Sequence, residues 1–324
     1  MEFSYKSLVV VFGGGGYVGY WVTEKLLASG YRVRVFDKFL FGREGIDTLK
    51  HPDLEIVYGD MCDVNAVYQA VGGADCVILL AALVGKRFVD LASVPYREVN
   101  FIASSVVLDS AVEHGVERFI FTSTDSVYGE LNGLVYETAV PEPMTLYARL
   151  KLRFEERLLK AKKRTFHPTV LRLGTCYGFS RRMRFDLIPN TFIRDAVYKN
   201  QVVVQAPDSI RSFIHVCDAA RAIVACVNTH VNLISGEIFN LAAADQAMSF
   251  KDVTSVVKQI WPSVEVELMD GEADLMDYKL SSKKLEKLLD FNFEYSLRQG
   301  LEDLRDILLE GKCGDPYSIK HVNG

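Results

Sequence analysis

Residues 9–27 read VVVFGGGGYVGYWVTEKLL: a β-branched apolar run, four glycines, then apolar residues at helical spacing. The run predicts a strand buried on both faces, and the periodic part predicts a helix from about residue 17. Gly13, Gly16 and Gly19 stand in a GxxGxxG frame across the junction. Glycines there permit a tight turn, let backbone approach a pyrophosphate closely, and let the helix pack against the sheet, with the anion held at the helix N-terminus. Gly13, Gly16, Tyr17, Val18 and Gly19 are therefore candidate cofactor-binding residues.

Working outward, five further apolar runs alternate with helical periodicities: YRVRVFD (31–37), LEIVYGD (54–60), ADCVILLAA (74–82), ERFIFTS (117–123) and HPTVLRLG (167–174). Helices are expected between them near 17–29, 64–71, 94–114 and 147–162. This alternation predicts an α/β fold with a doubly wound parallel sheet of the Rossmann kind, its ligand crevice along the C-terminal strand ends. The expected division is a dinucleotide-binding domain over 1–178, completed by about 213–245. A smaller, partly discontinuous α/β substrate-binding lobe takes 179–212 and 246–324. Helices are expected near 250–261, 281–290 and 297–310, with a loose polar tail from Gly311.

The second run ends in Asp37, 18 residues after Gly19 and close to the offset of about 20 expected for a ribose-binding acid. A carboxylate there accepts bonds from the adenosine ribose hydroxyls and repels a 2′-phosphate, which favours NAD over NADP; the adjacent Lys38 works slightly against that preference. Asp60 and Met61 are placed to flank the adenine. Leu80, Ala81 and Ala82 let the backbone come close to the cofactor. On the predicted fourth helix, Tyr147 and Lys151 at i and i+4 put a phenol and an ammonium on one face. The ammonium is expected to lower the phenol's pKa and fit it to take a substrate proton, while Thr124 ends a strand where its hydroxyl can share the same substrate oxygen.

With 324 residues the chain can bury one large core plus a smaller unit. Its 37 basic against 42 acidic residues, net −5, argue against nucleic acid or an anionic membrane as the main partner. The longest nearly uncharged apolar run, 76–85, is half of the roughly 20 residues a spanning helix needs. Six cysteines without CxxC or metal spacing read as reduced packing residues, no metal is implied, and the expected location is the cytoplasm.

The ordered set FGGGGYVG, Asp37, GDM, LLAALVG, FTSTDSVYG, YARLK, RLGTCYG and RSFIHVCDAA resembles the extended short-chain dehydrogenase/reductase family, in its group of NAD-dependent nucleotide-sugar epimerases and dehydratases. The likeness covers residues 7 to about 245. LAALVG and RRMRFDL are similar to a bacterial branch that contains GDP-heptose C4 dehydrogenases. The resemblance implies Tyr147 as catalytic base, Lys151 as the residue that orients the nicotinamide ribose and tunes Tyr147, and Thr124 on the sugar hydroxyl being oxidised. It also implies substrate contacts from Asp125, Ser126, Thr175, Arg184, Asn190 and Arg211, the last against a diphosphate, with Arg181 and Arg182 as either further phosphate partners or solvated surface. His215 reads as a structural histidine, Asn100 as a support for local geometry. Two departures stand out: Thr175 replaces a common Asn, and an arginine expected near Met276 is missing.

The implied activity is NAD-dependent oxidation at C4 of a nucleotide-diphosphate sugar through a 4-keto intermediate, foremost as a 4-epimerase. A C4 dehydrogenase that releases the keto-sugar is the alternative. A 4,6-dehydratase is disfavoured, because its acid-base pair is Asp-Glu where this chain has Asp125-Ser126. A non-catalytic NAD-binding scaffold is the reading from outside enzymology. A homodimer through helices 94–114 and 147–162 is also implied.

Overall fold

The computed structural model describes residues 7–85, 96–271 and 277–323. Chain order begins β1 (Leu8–Phe12), α1 (Tyr17–Ala28), β2 (Arg32–Asp37), β3 (Leu54–Tyr58), α2 (Val64–Val71), β4 (Cys76–Leu79), α3 (Ser104–Glu113) and β5 (Arg118–Thr124). It continues β6 (Gly133–Val135), α4 (Leu146–Lys160), β7 (His167–Leu173), β8 (Thr175–Tyr177), α5 (Ile188–Lys199), β9 (Gln201–Gln205), β10 (Ile210–His215) and α6 (Val216–Asn228). Then follow α7 (Val231–Ile234), β11 (Glu237–Leu241), β12 (Ala247–Ser249), α8 (Phe250–Ile260), β13 (Glu265–Met269), β14 (Tyr278–Leu280), α9 (Lys283–Leu289) and α10 (Leu297–Leu309).

Seven strands form one parallel sheet in the order β11-β7-β5-β4-β1-β2-β3. Alternation along β1 explains its uniformly apolar sequence. Val9 and Val11 enter the core under α1 and α6, whereas Leu8, Val10 and Phe12 enter the one under α2, α3 and α4. The chain runs from β1 to β2 on one side and reaches β4 on the other, so strand order reverses between β1 and β4. Such a reversal opens a crevice at the C-terminal strand ends.

Smaller sheets build the rest. β8 pairs with β10, β10 with β12, β9 with β13, and β6 with β14. The sequence reading kept 133–135 inside the first domain, and in the structure this short strand pairs with 278–280 of the expected substrate-binding lobe; 175–177 pairs with 213–215, within the segment expected to complete the first domain. Three-residue strands carry too little periodicity to reveal such partners.

Two further expectations change. The helix foreseen over 94–114 has residues 94 and 95 outside the described residues, and it opens as a π-helical turn over Glu98–Ala103 before α3. Asn100 accounts for part of that geometry, since its side-chain amide both accepts from Leu83 N and donates to Leu83 O, at 3.0 and 2.9 Å. The tail after Gly311 is not loose. His321 O accepts from Phe185 N at 2.8 Å, Lys320 pairs with Glu44 at 2.8 Å, and Asn323 meets Arg182. Polar composition suggested solvent, but those polar groups find partners on the protein. Cys76, Cys176, Cys217 and Cys226 are buried, whereas Cys62 is exposed. Among the described residues, no helix is long and apolar enough to cross a membrane.

Candidate active site

A cleft of about 690 Å³ runs along the C-terminal ends of β1, β2, β4, β5 and β7. Its floor at one end is the glycine turn. Gly13 has φ +86° and lies so close to the end of β4 that a methyl there would meet Ala81 N at 2.6 Å. Leu80 N and Ala81 N both donate to Phe12 O, at 2.9 and 3.0 Å, which fixes this approach. Gly16 caps α1 with no side-chain bond, and no acid occupies the first turn. The amides of that turn therefore face the cleft as a ready anion site.

Asp37 closes β2. One carboxylate oxygen accepts from Gly15 N at 3.0 Å and the other from Phe39 N at 2.8 Å, and burial raises its pKa. Each oxygen keeps a lone pair for a ribose hydroxyl. Lys38 is tied to Asp60 at 2.6 Å, so its charge is answered on the protein. Tyr17, Val18, Gly19, Met61 and Ala82 complete this end of the wall. A cradle that methyl groups would fill, uncapped amides and an oriented carboxylate together fit a dinucleotide.

Thr124 and Tyr147 line the other end, with Ser126, Thr175 and Arg184. Thr124 Oγ1 accepts from Ser126 N and lies 3.1 Å from Ser126 Oγ. Tyr147 packs edge-on to Tyr96, ring centroids 6.5 Å apart. Lys151 is buried behind Tyr147, where its ammonium donates to Thr122 O at 2.8 Å and lies over the Phe121 and Tyr147 rings. Burial pushes this ammonium down to about 7, with Glu155 opposing. Burial also holds the Tyr147 phenol well above its ordinary value. Tyr96 adds to that rise, and Arg184 pulls the other way. Arg184 is a cation that pulls the phenol down, while the Lys151 ammonium beneath the ring donates to Thr122 O.

Other expected residues lie elsewhere. Asn190 is fully buried, bonding Gly178 N, Arg184 O and the Tyr17 hydroxyl, so it ties segments together rather than reaching a nucleotide. Arg211 lies beside Asp125 and against the Phe250 ring, outside the cleft wall. His215 accepts from Cys217 N, stacks on Tyr295 and is pushed down to about 3 by burial, as suits a neutral structural ring. Met276 lies outside the described residues. Sequence reasoning missed Ser123, a cleft-lining hydroxyl that is buried without a hydrogen-bond partner. Its position one residue before Thr124 was the available signal. Arg182, left open as surface, is 7% exposed and lines the cleft.

Asp125 also lines the cleft, and burial raises its carboxyl to about 6 against the pull of Arg211 and Thr124. An unfolded chain ionises this group near 4, so between about pH 4 and pH 6 the unfolded state releases its proton first. Stability contributed by this group is full below that window and is lost as pH rises through it, by about 3 kcal/mol. Asp125→Asn is expected to match the parent near pH 4 and exceed it in stability above pH 6, as read from urea midpoints across the range. A constant difference between the two proteins at every pH would contradict this.

Comparison with known proteins agrees with this geometry. A sequence model described as the NAD dependent epimerase/dehydratase family matches residues 9–242. A UDP-N-acetyl-alpha-D-glucosaminuronate decarboxylase of Bacillus cytotoxicus is 26% identical over 319 residues, spanning 92% of this chain and 96% of that one. A UDP-glucose 4-epimerase of Corynebacterium glutamicum is 27% identical over 270 residues, 78% of this chain and 80% of that one. The crystal structure of UDP-glucuronic acid 4-epimerase from Bacillus cereus, in complex with UDP-glucuronic acid and NAD, superposes with a TM-score of 0.84 at 25% identity, covering 94% of this chain and 99% of that one.

Proposed function

Because the chain belongs to the NAD dependent epimerase/dehydratase family, we propose that it binds NAD and inverts C4 of a nucleotide-linked sugar as a 4-epimerase. The observation that carries this reading is that Thr124 and Tyr147 share one cleft with the glycine turn and Asp37. NAD, when bound, supplies the acceptor for the hydrogen leaving C4 and the donor that returns it. Gly13, Gly16 and Gly19 admit the pyrophosphate to the amides of α1, and Asp37 takes the adenosine ribose hydroxyls. Tyr147 accepts the C4 hydroxyl proton, Thr124 holds the same oxygen, and Lys151 fixes the wall behind the phenol. Once the 4-keto sugar has turned its other face to the cofactor side, Tyr147 gives the proton back to the C4 oxygen, and the inversion lies in the face of C4 that receives the returned hydrogen.

Ser126 supports epimerisation over elimination, since a serine hydroxyl beside Thr124 cannot serve as the base that water removal needs near neutral pH. Exposed Ile102 and the α3–α4 surface, bridged by Arg157–Asp109, form the face we assign to a homodimer. The six free cysteines fit a reducing compartment, the cytoplasm.

The test is incubation with UDP, GDP, dTDP and CDP sugars and NMR of the product. A 4-epimer, formed without net NADH, is the expected result. Accumulation of a 4-keto sugar with equimolar NADH would make the protein a C4 dehydrogenase, and loss of water or carbon dioxide would likewise overturn the epimerase reading.

A further inference from the structure

Arg182 is a buried cation with no ion-pair partner among the described residues, although Asp186 and Asp37 lie near enough to act on its charge. Its guanidinium stacks over the Phe41 ring at 4.1 Å, and Nη2 donates to the side-chain oxygen of Asn323. Nε is buried with no hydrogen-bond partner. Neighbouring Arg184 has a carboxylate, Asp186, at 2.5 Å, but among the described residues none lies within ion-pair distance of Arg182. Burying an arginine is costly unless a negative charge receives it. Burial, reinforced by Arg184, pushes this guanidinium down to about 10.

Three bonds hold the segment that leads to Arg182. The Tyr17 hydroxyl donates to Gly178 O at 2.6 Å, Ser180 Oγ donates to Tyr17 O at 2.8 Å, and Trp21 Nε1 donates to Phe179 O at 2.8 Å. They hold the segment leading to Arg182 against the first turns of α1, whose amides are uncapped. Phe41, under the guanidinium, follows shortly after Asp37. Residues 319–323 then brace the arrangement. Lys320 grips Glu44 beyond Phe41, His321 O accepts from Phe185 N, and Asn323 reaches the cleft wall.

We propose that Arg182 is a ligand of the dinucleotide pyrophosphate and that the 319–323 segment positions it through Asn323. The inference rests on the NAD reading. It joins the cofactor site to the segment that carries Arg184 at the sugar end. A substrate diphosphate offers the same chemistry, and the experiment separates the two sources.

Calorimetric titration of the full chain with NAD, ADP-ribose, adenosine and UDP is the test. Arg182→Met is expected to weaken NAD and ADP-ribose by about 10- to 100-fold, the loss of charge-assisted bonds, while adenosine and UDP bind as in the parent. Arg182→Lys regains part of the loss. Asn323→Ala and Lys320→Ala leave the guanidinium in place and are expected to weaken the same two ligands less, about 3- to 10-fold. Weakening of UDP in place of ADP-ribose would assign Arg182 to the substrate instead. Equal weakening of adenosine and ADP-ribose, or no change in any variant, would reduce Arg182 to packing. A parent protein that binds neither NAD nor ADP-ribose overturns the NAD reading and this proposal together, whereas a parent that binds both beside unaffected variants overturns the proposal alone.

Discussion

Tyr147→Phe is expected to lower kcat by about 10³-fold, the usual worth of a positioned proton acceptor, with NAD and nucleotide-sugar affinity close to the parent's. The substitution removes one oxygen and keeps the ring, so packing against Tyr96 and beneath the Lys151 ammonium persists. Burial holds the phenol well above its ordinary pKa, so at neutral pH it is protonated in the free protein. A raised pKa of this kind means that the base form, and with it kcat/KM of the parent, grows as pH rises. Removal of the Arg184 charge, which pulls the phenol down, is expected to move that rising limb to higher pH. The phenylalanine variant has no such limb, and its residual rate is expected to be flat with pH. These outcomes are read from initial rates between pH 6 and 10. A Tyr147→Phe enzyme within about threefold of the parent, or one that keeps the rising limb, would remove Tyr147 from the proton transfer and leave Thr124 and Ser123 as the groups to examine.

What the sequence made legible was set by backbone demands and fixed spacing. The glycine turn could be found because φ +86° at Gly13 and contacts below 3 Å admit no other residue, whatever surrounds them. Asp37 followed from the end of a buried strand, and the Tyr147–Lys151 face from one helical turn; Thr124 and Tyr147 then reach the cleft because β5 ends and α4 begins there. Residues delivered by irregular segments were not legible. Asn190 and Arg211 carry the right chemistry for phosphate or nucleotide, yet packing turns the first toward Tyr17 and Gly178 and the second toward Asp125. Arg182 sat in a run of arginines that read equally as surface, and only the fold of 178–182 against α1 buries it. Residues 319–323, polar and at the far end of the sequence, bear no pattern that points to Glu44, Phe185 or Arg182. The same limit applies to Lys151: spacing placed it beside Tyr147, but its hydrogen bond to Thr122 O, a carbonyl on another element, was not legible.

Gly19→Ala and Gly16→Ala are expected to fail in different ways, and the contrast tests the cofactor end directly. A methyl on Gly19 would lie 2.1 Å from Gly13 O and 2.7 Å from Gly14 Cα. Both are backbone atoms of the turn, and Gly13 O already accepts from Gly16 N, so no side chain can swing aside. Relief requires α1 to lift from the turn, which strains the packing of Val22 and Leu26 in the core beneath it. Such overpacking costs about 1–3 kcal/mol, and thermal unfolding is expected several degrees lower. Lifting the helix also moves its first-turn amides; a displacement of about 1 Å at a binding geometry costs on the order of 10²-fold, so NAD affinity is expected to fall by that amount. At Gly16 the backbone is extended, with φ −79° and ψ −178°, which alanine adopts without strain. Its methyl would meet Gly13 O at 3.1 Å and nothing else within 4 Å, projecting into the cleft where the pyrophosphate is proposed to lie. Gly16→Ala should therefore unfold near the parent's temperature and still lose most of its NAD affinity. Calorimetric titration with NAD and thermal unfolding of both variants decide the matter. If Gly16→Ala binds NAD like the parent, the pyrophosphate does not sit on the α1 amides, and the arrangement assigned to Asp37 and Arg182 around it fails with that result.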